Sequence, residues 1–313
     1  MRGNWAWLPR AAGLVLAVAS AIWLLRELGG SGAATLAGLG NSLRRGVLPA
    51  IGAVTLLLGL QATAWWWLCG LRESEPDWRA AVSVWARSQA GKYLPGNVMH
   101  FVGRQLAASE LGLTQTSVMA ASVSETFCML GGSLFLGGAT VLTGRGSVPP
   151  RVTVVAVAVM AAGAVVALVL NHTRLADSLP WNLGLRPGSL ARRGALATLL
   201  CLVLHTGVGL TFFVLLDLAD PGAAPHALRV AGAYGLAWAG GLIAFGLPAG
   251  LGVREALLVY QLKGEADAAT IAAAALALRL VQVSADGLAF VLGWLARPAK
   301  IEADGTEEPK LPR

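Results

Sequence analysis

Charged residues are scarce in this chain of 313 residues, where they make up only 13% of the sequence. A soluble domain carries about 25% charged residues, because its surface must face water. Hydrophobic residues make up 56% of the chain, and the mean hydropathy is +0.64. The composition therefore excludes an ordinary soluble domain, and the long apolar runs predict an all-α, polytopic integral membrane protein.

Cysteine is also rare, and the motifs of common enzymes are missing. Cys69, Cys128 and Cys201 lie in or beside apolar runs without CxxC spacing, so neither a zinc site nor a disulfide framework is expected. The sequence contains no GxSxG, HExxH or P-loop pattern and no aspartate cluster for phosphoryl transfer. We therefore predict no catalytic residue, no metal and no cofactor. The net charge of +7 is spread over short loops and tails, so no nucleic-acid partner is expected.

Two Pro/Gly-containing breaks interrupt the apolar pattern, at residues 91–97 (GKYLPGN) and 246–255 (GLPAGLGVRE). Proline removes a helical hydrogen bond, and glycine tolerates the unusual dihedral angles that follow. Within a membrane, broken backbone persists only where protein or a water-filled cavity satisfies its polar groups. Breaks at corresponding places in two halves of a chain typically mark a transporter's binding site.

The apolar runs predict about six full membrane spans and two re-entrant broken helices. The arms on either side of each break are too short to cross independently, because a span needs about 20 apolar residues. The first run could instead be a cleavable signal peptide, with Ala17-Val18-Ala19 resembling a cleavage site, but a retained helix is the preferred interpretation. The predicted full spans are residues 11–25, 47–71, 116–142, 152–170, 195–216 and 268–296.

The order of these elements predicts an inverted repeat. Residues 1–143 form the first half, with a re-entrant element near 78–111, and residues 152–297 form the second, with a re-entrant element near 228–262. Each half has three spans, an odd number, so the halves face opposite ways. In each half a Trp-Ala pair precedes Leu-Pro by the same distance, at residues 85–95 and 238–248. Residues 298–313 are expected to form a disordered cytoplasmic tail.

The distribution of basic residues predicts that both termini are cytoplasmic. Residues 72–92, 174–193 and 297–300 then lie inside, as the positive-inside rule requires, while Arg44 and Arg45 fall outside and count against this orientation. Most of the 11 tryptophans, including the cluster at residues 65–67, are expected to anchor at the water–lipid boundary.

Charges inside apolar segments are the candidate functional residues, because a charge at the bilayer centre costs roughly 2.5–3.5 kcal/mol on insertion scales. Arginine suits a phosphate group, since its planar fork donates two hydrogen bonds at once. Arg104 and Arg254, each a few residues past a break, could hold an anionic head group from opposite sides of one cavity. Alternatively, they pair with Glu110 and Glu255 as structural ion pairs, or extend to the interface.

Arg279, Gln282 and Asp286 share one helix face and suggest a cavity lining, with Arg279 and Asp286 too far apart to pair directly. Glu125 could partner a basic group, shuttle a proton, or form a fixed internal ion pair. His205 is interpreted as a hydrogen-bonded packing residue. Tyr93 could stack on a sugar or cap the first break, and the sequence does not separate these roles.

The two breaks resemble the signature segments of the flippase-like family, the membrane region of lysylphosphatidylglycerol synthase (the UPF0104 group). The resemblance rests on residues 91–96 with Arg104 and on residues 247–256, and it covers about residues 10–297. Residues 248–250 depart slightly from the family's usual Gly-Gly-type second break. The resemblance implies a bacterial or archaeal membrane protein that moves lipids between leaflets. The chain stops soon after Arg297, so the lysyl-transfer activity of longer members is expected to be absent.

The predicted function is translocation of an anionic phospholipid or a polyprenyl-phosphate-linked lipid through a central polar cavity in the cytoplasmic membrane. Two alternatives stay open: an integral-membrane glycosyl or lipid-modifying transferase, and a non-transporting accessory subunit of a lipid or polysaccharide synthase. A synthase or glycosyltransferase is accordingly a candidate partner, and an oligomer is compatible with the sequence. The predicted substrate-binding residues are Lys92, Tyr93, Pro95, Gly96, Arg104, Glu125, Pro248, Gly250, Gly252, Arg254, Glu255, Arg279, Gln282 and Asp286.

Overall fold

The protein was analysed as a computed structural model that describes residues 40–72, 74–93, 98–142, 189–222, 226–243 and 252–297. Within these residues it is all-α and contains no sheet. The predicted spans at residues 11–25 and 152–170, the tail at 298–313, and the central residues of both breaks lie outside the described residues.

Eight α-helices make up the described part of the chain, and we number them in chain order. They are α1 (Gly40–Cys69), α2 (Trp78–Ser88), α3 (Met99–Leu106), α4 (Gln115–Leu142), α5 (Ser189–Ala219), α6 (Ala227–Ile243), α7 (Val253–Leu262) and α8 (Ala268–Leu295). Short 3-10 turns follow α2 at Gln89–Tyr93 and α3 at Ala108–Leu111.

Four of these helices are long and apolar enough to cross a membrane, so the chain is a multi-pass membrane protein. The crossing segments are Gly46–Cys69, Gln115–Val141, Ala191–Ala219 and Ala268–Leu295, with mean hydropathies of 1.8, 1.3, 2.3 and 1.6. At about 1.5 Å per residue, each exceeds the roughly 30 Å hydrocarbon thickness of a bilayer. They match four of the six predicted spans.

The four short helices lie on either side of the two breaks. Helices α2 and α3 flank the first break, and α6 and α7 flank the second. Side chains mark where these helices start: Asp77 accepts a hydrogen bond from the Ala80 N–H at the start of α2. At the start of α7, Glu255 accepts the Gly252 N–H at 2.8 Å, and Gly252 has a positive φ of 82° that glycine tolerates without strain.

Small residues allow the long helices to approach closely. Helix α1 packs on α5 and α8, and α4 packs on α5 and α6. A Cβ atom on Gly132 of α4 would lie 2.9 Å from the Leu202 N of α5, and one on Gly209 of α5 would lie 2.5 Å from the Ala231 Cα of α6. Such close backbone approach is typical of helix packing in membranes, where small residues form the interfaces.

Two tryptophans expected at the water–lipid boundary lie in the protein interior instead. Trp65 on α1 and Trp85 on α2 are at most 1% exposed, and the Trp65 indole N–H donates to the Ser122 hydroxyl at 3.0 Å. Their rings are therefore not exposed at the protein surface, as an anchor in lipid would be. Their indole N–H groups find partners inside the bundle, which removes the need for water at that end of the ring.

Candidate functional site

A single cavity of about 510 Å³ lies among the helices of the described part of the chain and gathers most of the predicted site residues. All the described helices except α2 contribute to its wall, as does the 3-10 turn at Gln89–Tyr93. Its volume falls in the range of about 300–1,000 Å³ that is usual for small-molecule sites. The predicted residues in its wall are Lys92, Tyr93, Arg104, Glu125, Arg254, Arg279, Gln282 and Asp286.

Arg104 and Glu125 form a buried ion pair in this wall, with Nη1 and Oε2 2.5 Å apart. The two residues are 1% and 3% exposed. Glu125 Oε1 also accepts hydrogen bonds from Gln61 Nε2 and from the Trp85 indole, both at 2.9 Å. Three donors therefore surround the carboxylate, which meets the requirement that a buried charge be paired and hydrogen-bonded.

The guanidinium of Arg104 is also enclosed on its remaining sides. Its Nε donates to the Ser88 hydroxyl at 3.1 Å, and its Cζ lies 5.1 Å and 5.6 Å from the ring centroids of Trp65 and Trp85. These distances suit cation–π contacts. Glu110, the partner considered for Arg104 from the sequence, instead contacts Arg87 and Arg297. Arg104 is therefore held by an ion pair, hydrogen bonds and aromatic rings before any ligand binds.

A second ion pair joins the first break to the last helix. Lys92 Nζ lies 2.6 Å from Asp286 Oδ2, and the Tyr93 hydroxyl donates to the same oxygen. Asp286 is 3% exposed, and its other oxygen, Oδ1, is buried without a hydrogen-bond partner in the described residues. The carboxylate of this cavity-lining residue thus makes its contacts through one oxygen and leaves the other as an unpartnered acceptor.

Arg279 of α8 contacts Glu255 of α7. Arg279 Nη1 lies 3.6 Å from Glu255 Oε1, and the other oxygen of Glu255 accepts the Gly252 N–H. Neither Glu255 nor Gly252 lines the cavity, and Glu255 contacts Arg279, which does. Gln282, one turn further along α8, donates to the Tyr234 hydroxyl at 2.9 Å. The Tyr234 proton is then directed away from Gln282, because the hydroxyl oxygen is accepting.

Arg254 differs from the other three cations of the wall. It makes no ion pair and no hydrogen bond through its side chain within the part of the chain that the structure describes, and its Nε is buried without a partner. Its Cζ lies 5.6 Å from the Trp238 ring centroid, and its side chain is half-buried. A guanidinium in such a position keeps its donor fork available for an anion.

His205 of α5 also lines the cavity and is 1% exposed. Its Nδ1 lies 2.7 Å from the Cys201 carbonyl oxygen, and its ring packs edge-on against Trp238 with centroids 4.7 Å apart. The expected hydrogen bond and packing contact are both present. A carbonyl oxygen only accepts, so Nδ1 carries a proton, and a neutral ring then presents a lone pair at Nε2. That Nε2 has no hydrogen-bond partner among the described residues.

The sequence did not single out several residues of this wall. Gln61 is a polar side chain inside an apolar span, a pattern that could have identified it. Tyr234 and Trp238 could not be distinguished from ordinary packing or interfacial aromatics by sequence alone. Pro95, Gly96, Pro248 and Gly250 lie outside the described residues.

No protein-family model matches the chain, and no curated protein matches its sequence. Within the described residues, no group of three or more His, Cys, Asp or Glu side chains is arranged to hold a metal ion.

Proposed function

We propose that the protein is a lipid translocator that passes an anionic head group through the cavity while the acyl or prenyl tails stay in the bilayer. The observation that carries the proposal is Arg254, a cation in the cavity wall that has no carboxylate partner in the described residues. An uncompensated charge within a membrane protein is costly, so a protein retains one where it binds a charged ligand.

Two further features support this proposal. The wall of the cavity includes residues of all four helices of membrane-spanning length. Its charged residues come from both halves of the sequence: Lys92 follows α2 in the first half, and Arg254 lies in the first turn of α7 in the second. Substrate sites at the meeting point of two repeats are typical of transporters built from inverted halves.

The proposal also includes the full membrane topology and the location of the protein. It comprises six full spans, two re-entrant helices in an inverted repeat, and a cytoplasmic-membrane location in a bacterium or archaeon. The short helix pairs α2–α3 and α6–α7 flank the two breaks, as re-entrant elements would. The resemblance of the breaks to those of the flippase-like family implies the same arrangement.

Arg254 would bind the phosphate first, because its guanidinium has no carboxylate partner among the described residues, while Lys92 and Arg279 could turn toward it from their carboxylate partners. Arg104 has the opposite role in this proposal: it is neutralised by Glu125, so the pair would shape the cavity wall. In this proposal, the phosphate is contacted mainly by Arg254, Lys92 and Arg279. Arg104, the fourth cation predicted to contact phosphate, is not a main contact.

A reconstituted translocation assay tests the proposal. The protein is placed in vesicles with a trace of fluorescent phosphatidylglycerol, and a membrane-impermeant reductant quenches the label in the outer leaflet. Arg254→Gln is expected to slow the loss of protected label by about 10-fold or more, because a charged contact to phosphate is lost. Arg297→Gln removes the same charge from an exposed ion pair with Glu110 and serves as the matched control.

Equal rates in the wild type and the Arg254→Gln variant would contradict the proposal. If that result came with turnover of a lipid-linked donor by the purified protein, it would favour the transferase alternative. Without turnover, it would favour the accessory-subunit alternative.

A further inference from the structure

We infer that the head group taken by this cavity is a singly charged phosphodiester bearing free hydroxyl groups, such as glycerol or a sugar. The inference rests on the proposed function and narrows it to one class of lipid. It comes from the charges of the cavity wall and from two of its unpartnered polar atoms, His205 Nε2 and Asp286 Oδ1.

The balance of cations and carboxylates around the cavity predicts the net charge of the ligand. Arg104 is paired with Glu125, Lys92 with Asp286, and Arg279 with Glu255 just behind the wall. Arg254 is therefore the one cation of this wall that lacks a counter-ion among the described residues. A ligand with one net negative charge neutralises it. A zwitterionic head group would bring its own cation and leave the cavity with an unbalanced positive charge.

Two unpartnered acceptors of the wall predict that the head group also carries hydrogen-bond donors. His205 Nε2 and Asp286 Oδ1 are both buried without a hydrogen-bond partner in the described part of the chain, on side chains that are 1% and 3% exposed. A buried acceptor without a donor is costly, so a ligand that brings donors gains free energy at both atoms. Hydroxyl groups supply donors without adding charge.

Trp238 lies beside residues from both parts of the argument, the one for a negative charge and the one for hydroxyl groups. Its ring lies 5.6 Å from the Arg254 guanidinium and 4.7 Å from the His205 ring, measured to ring centroids. The Arg254 guanidinium and the His205 ring therefore both lie beside the same indole. A phosphodiester with a hydroxyl a few bonds from phosphorus can reach both, whereas an ester without hydroxyls can reach only Arg254.

Lipids that differ only in the head group test this inference on the intact protein. Wild-type protein in detergent is equilibrated with equal amounts of phosphatidylglycerol, phosphatidylethanol and phosphatidylethanolamine of identical acyl chains, and retained lipid is measured by native mass spectrometry. Phosphatidylglycerol and phosphatidylethanol have the same charge and differ in the hydroxyls. We expect phosphatidylglycerol to be retained about 10-fold over phosphatidylethanol, the sum of two modest hydrogen bonds.

The outcomes separate this inference from the proposed function. Equal retention of the two anionic lipids, both above phosphatidylethanolamine, would overturn the hydroxyl requirement and leave the proposed function standing. Equal retention of all three would contradict both. Preference for phosphatidylethanolamine would overturn the single negative charge. A parallel comparison of a glycosyl-phosphoprenol with phosphatidylglycerol distinguishes a sugar from glycerol as the source of the hydroxyls, and either preference supports the class.

The variant His205→Phe tests the acceptor directly while keeping an aromatic ring against Trp238. It is expected to reduce the preference for phosphatidylglycerol over phosphatidylethanol to about 3-fold, with phosphatidylethanol binding unchanged. An unchanged preference would remove His205 from the inference. The wild-type lipid series decides the question even if this variant folds poorly.

Discussion

Lys92 Nζ lies 2.6 Å from Asp286 Oδ2, and this ion pair fastens the first break to the last membrane-spanning helix. The Tyr93 hydroxyl donates to the same oxygen across a sequence separation of 193 residues. All three residues line the cavity. In the proposed function it competes with the ligand, because a phosphate that attracts Lys92 weakens the hold on Asp286.

The Lys92–Asp286 pair is expected to stabilise the fold through a contact between distant parts of the chain. Asp286→Asn should lower the free energy of unfolding by about 2 kcal/mol, since Lys92 then keeps a partly buried charge without a counter-ion. The double variant Lys92→Asp/Asp286→Lys should recover most of that loss. Thermal unfolding in detergent measures both, and a double variant less stable than either single one would contradict the pairing.

Removing one partner of the Arg104–Glu125 pair is expected to be more damaging. Glu125→Gln leaves the enclosed Arg104 guanidinium uncompensated and should cost about 3–5 kcal/mol of stability. Glu110→Gln is the matched control, because Glu110 is exposed and its ion pairs are worth about 1 kcal/mol or less. A similar small loss in both variants would show that the buried network contributes little to stability.

Arg254 is expected to behave oppositely to Arg104 in lipid binding and stability. Arg254→Gln orphans no carboxylate in the described residues, so the melting temperature should stay the same or rise. The same variant should retain about 10-fold less anionic lipid after gentle purification, as measured by mass spectrometry. A marked loss of stability with unchanged lipid content would identify Arg254 as a structural residue.

Close helix packing gives a prediction that does not depend on function. Gly209→Ala should lower the free energy of unfolding by about 1–3 kcal/mol, because the new Cβ would lie 2.5 Å from the Ala231 Cα. Gly287→Ala is the control, since no described atom lies within 4 Å of its added Cβ, and helix propensity favours alanine by about 1 kcal/mol. Equal effects of the two substitutions would contradict the close approach of α5 and α6.

The sequence predicted the helices of the described part of the chain well and the pairing of charges poorly. Four spans appear within a few residues of their expected bounds, because apolar length and breaking residues are local properties. The same reasoning selected Arg104, Arg254 and Asp286 as cavity residues from their place in apolar segments. It considered Glu110 as the partner of Arg104, whereas the partner in the structure is Glu125.

The sequence by itself determined that the chain is helical and multi-pass, where its helices break, and which charges must be accommodated in an apolar setting. These features depend on the composition and residue spacing within a single segment, so they can be predicted without knowing which segments pack together. Only the tertiary structure decided that Arg104 is neutralised while Arg254 has no carboxylate partner in the described residues. Charge pairing depends on which helices pack together and on how they are aligned. Close contacts between residues far apart in sequence, such as that of Gly209 with Ala231, determine this packing.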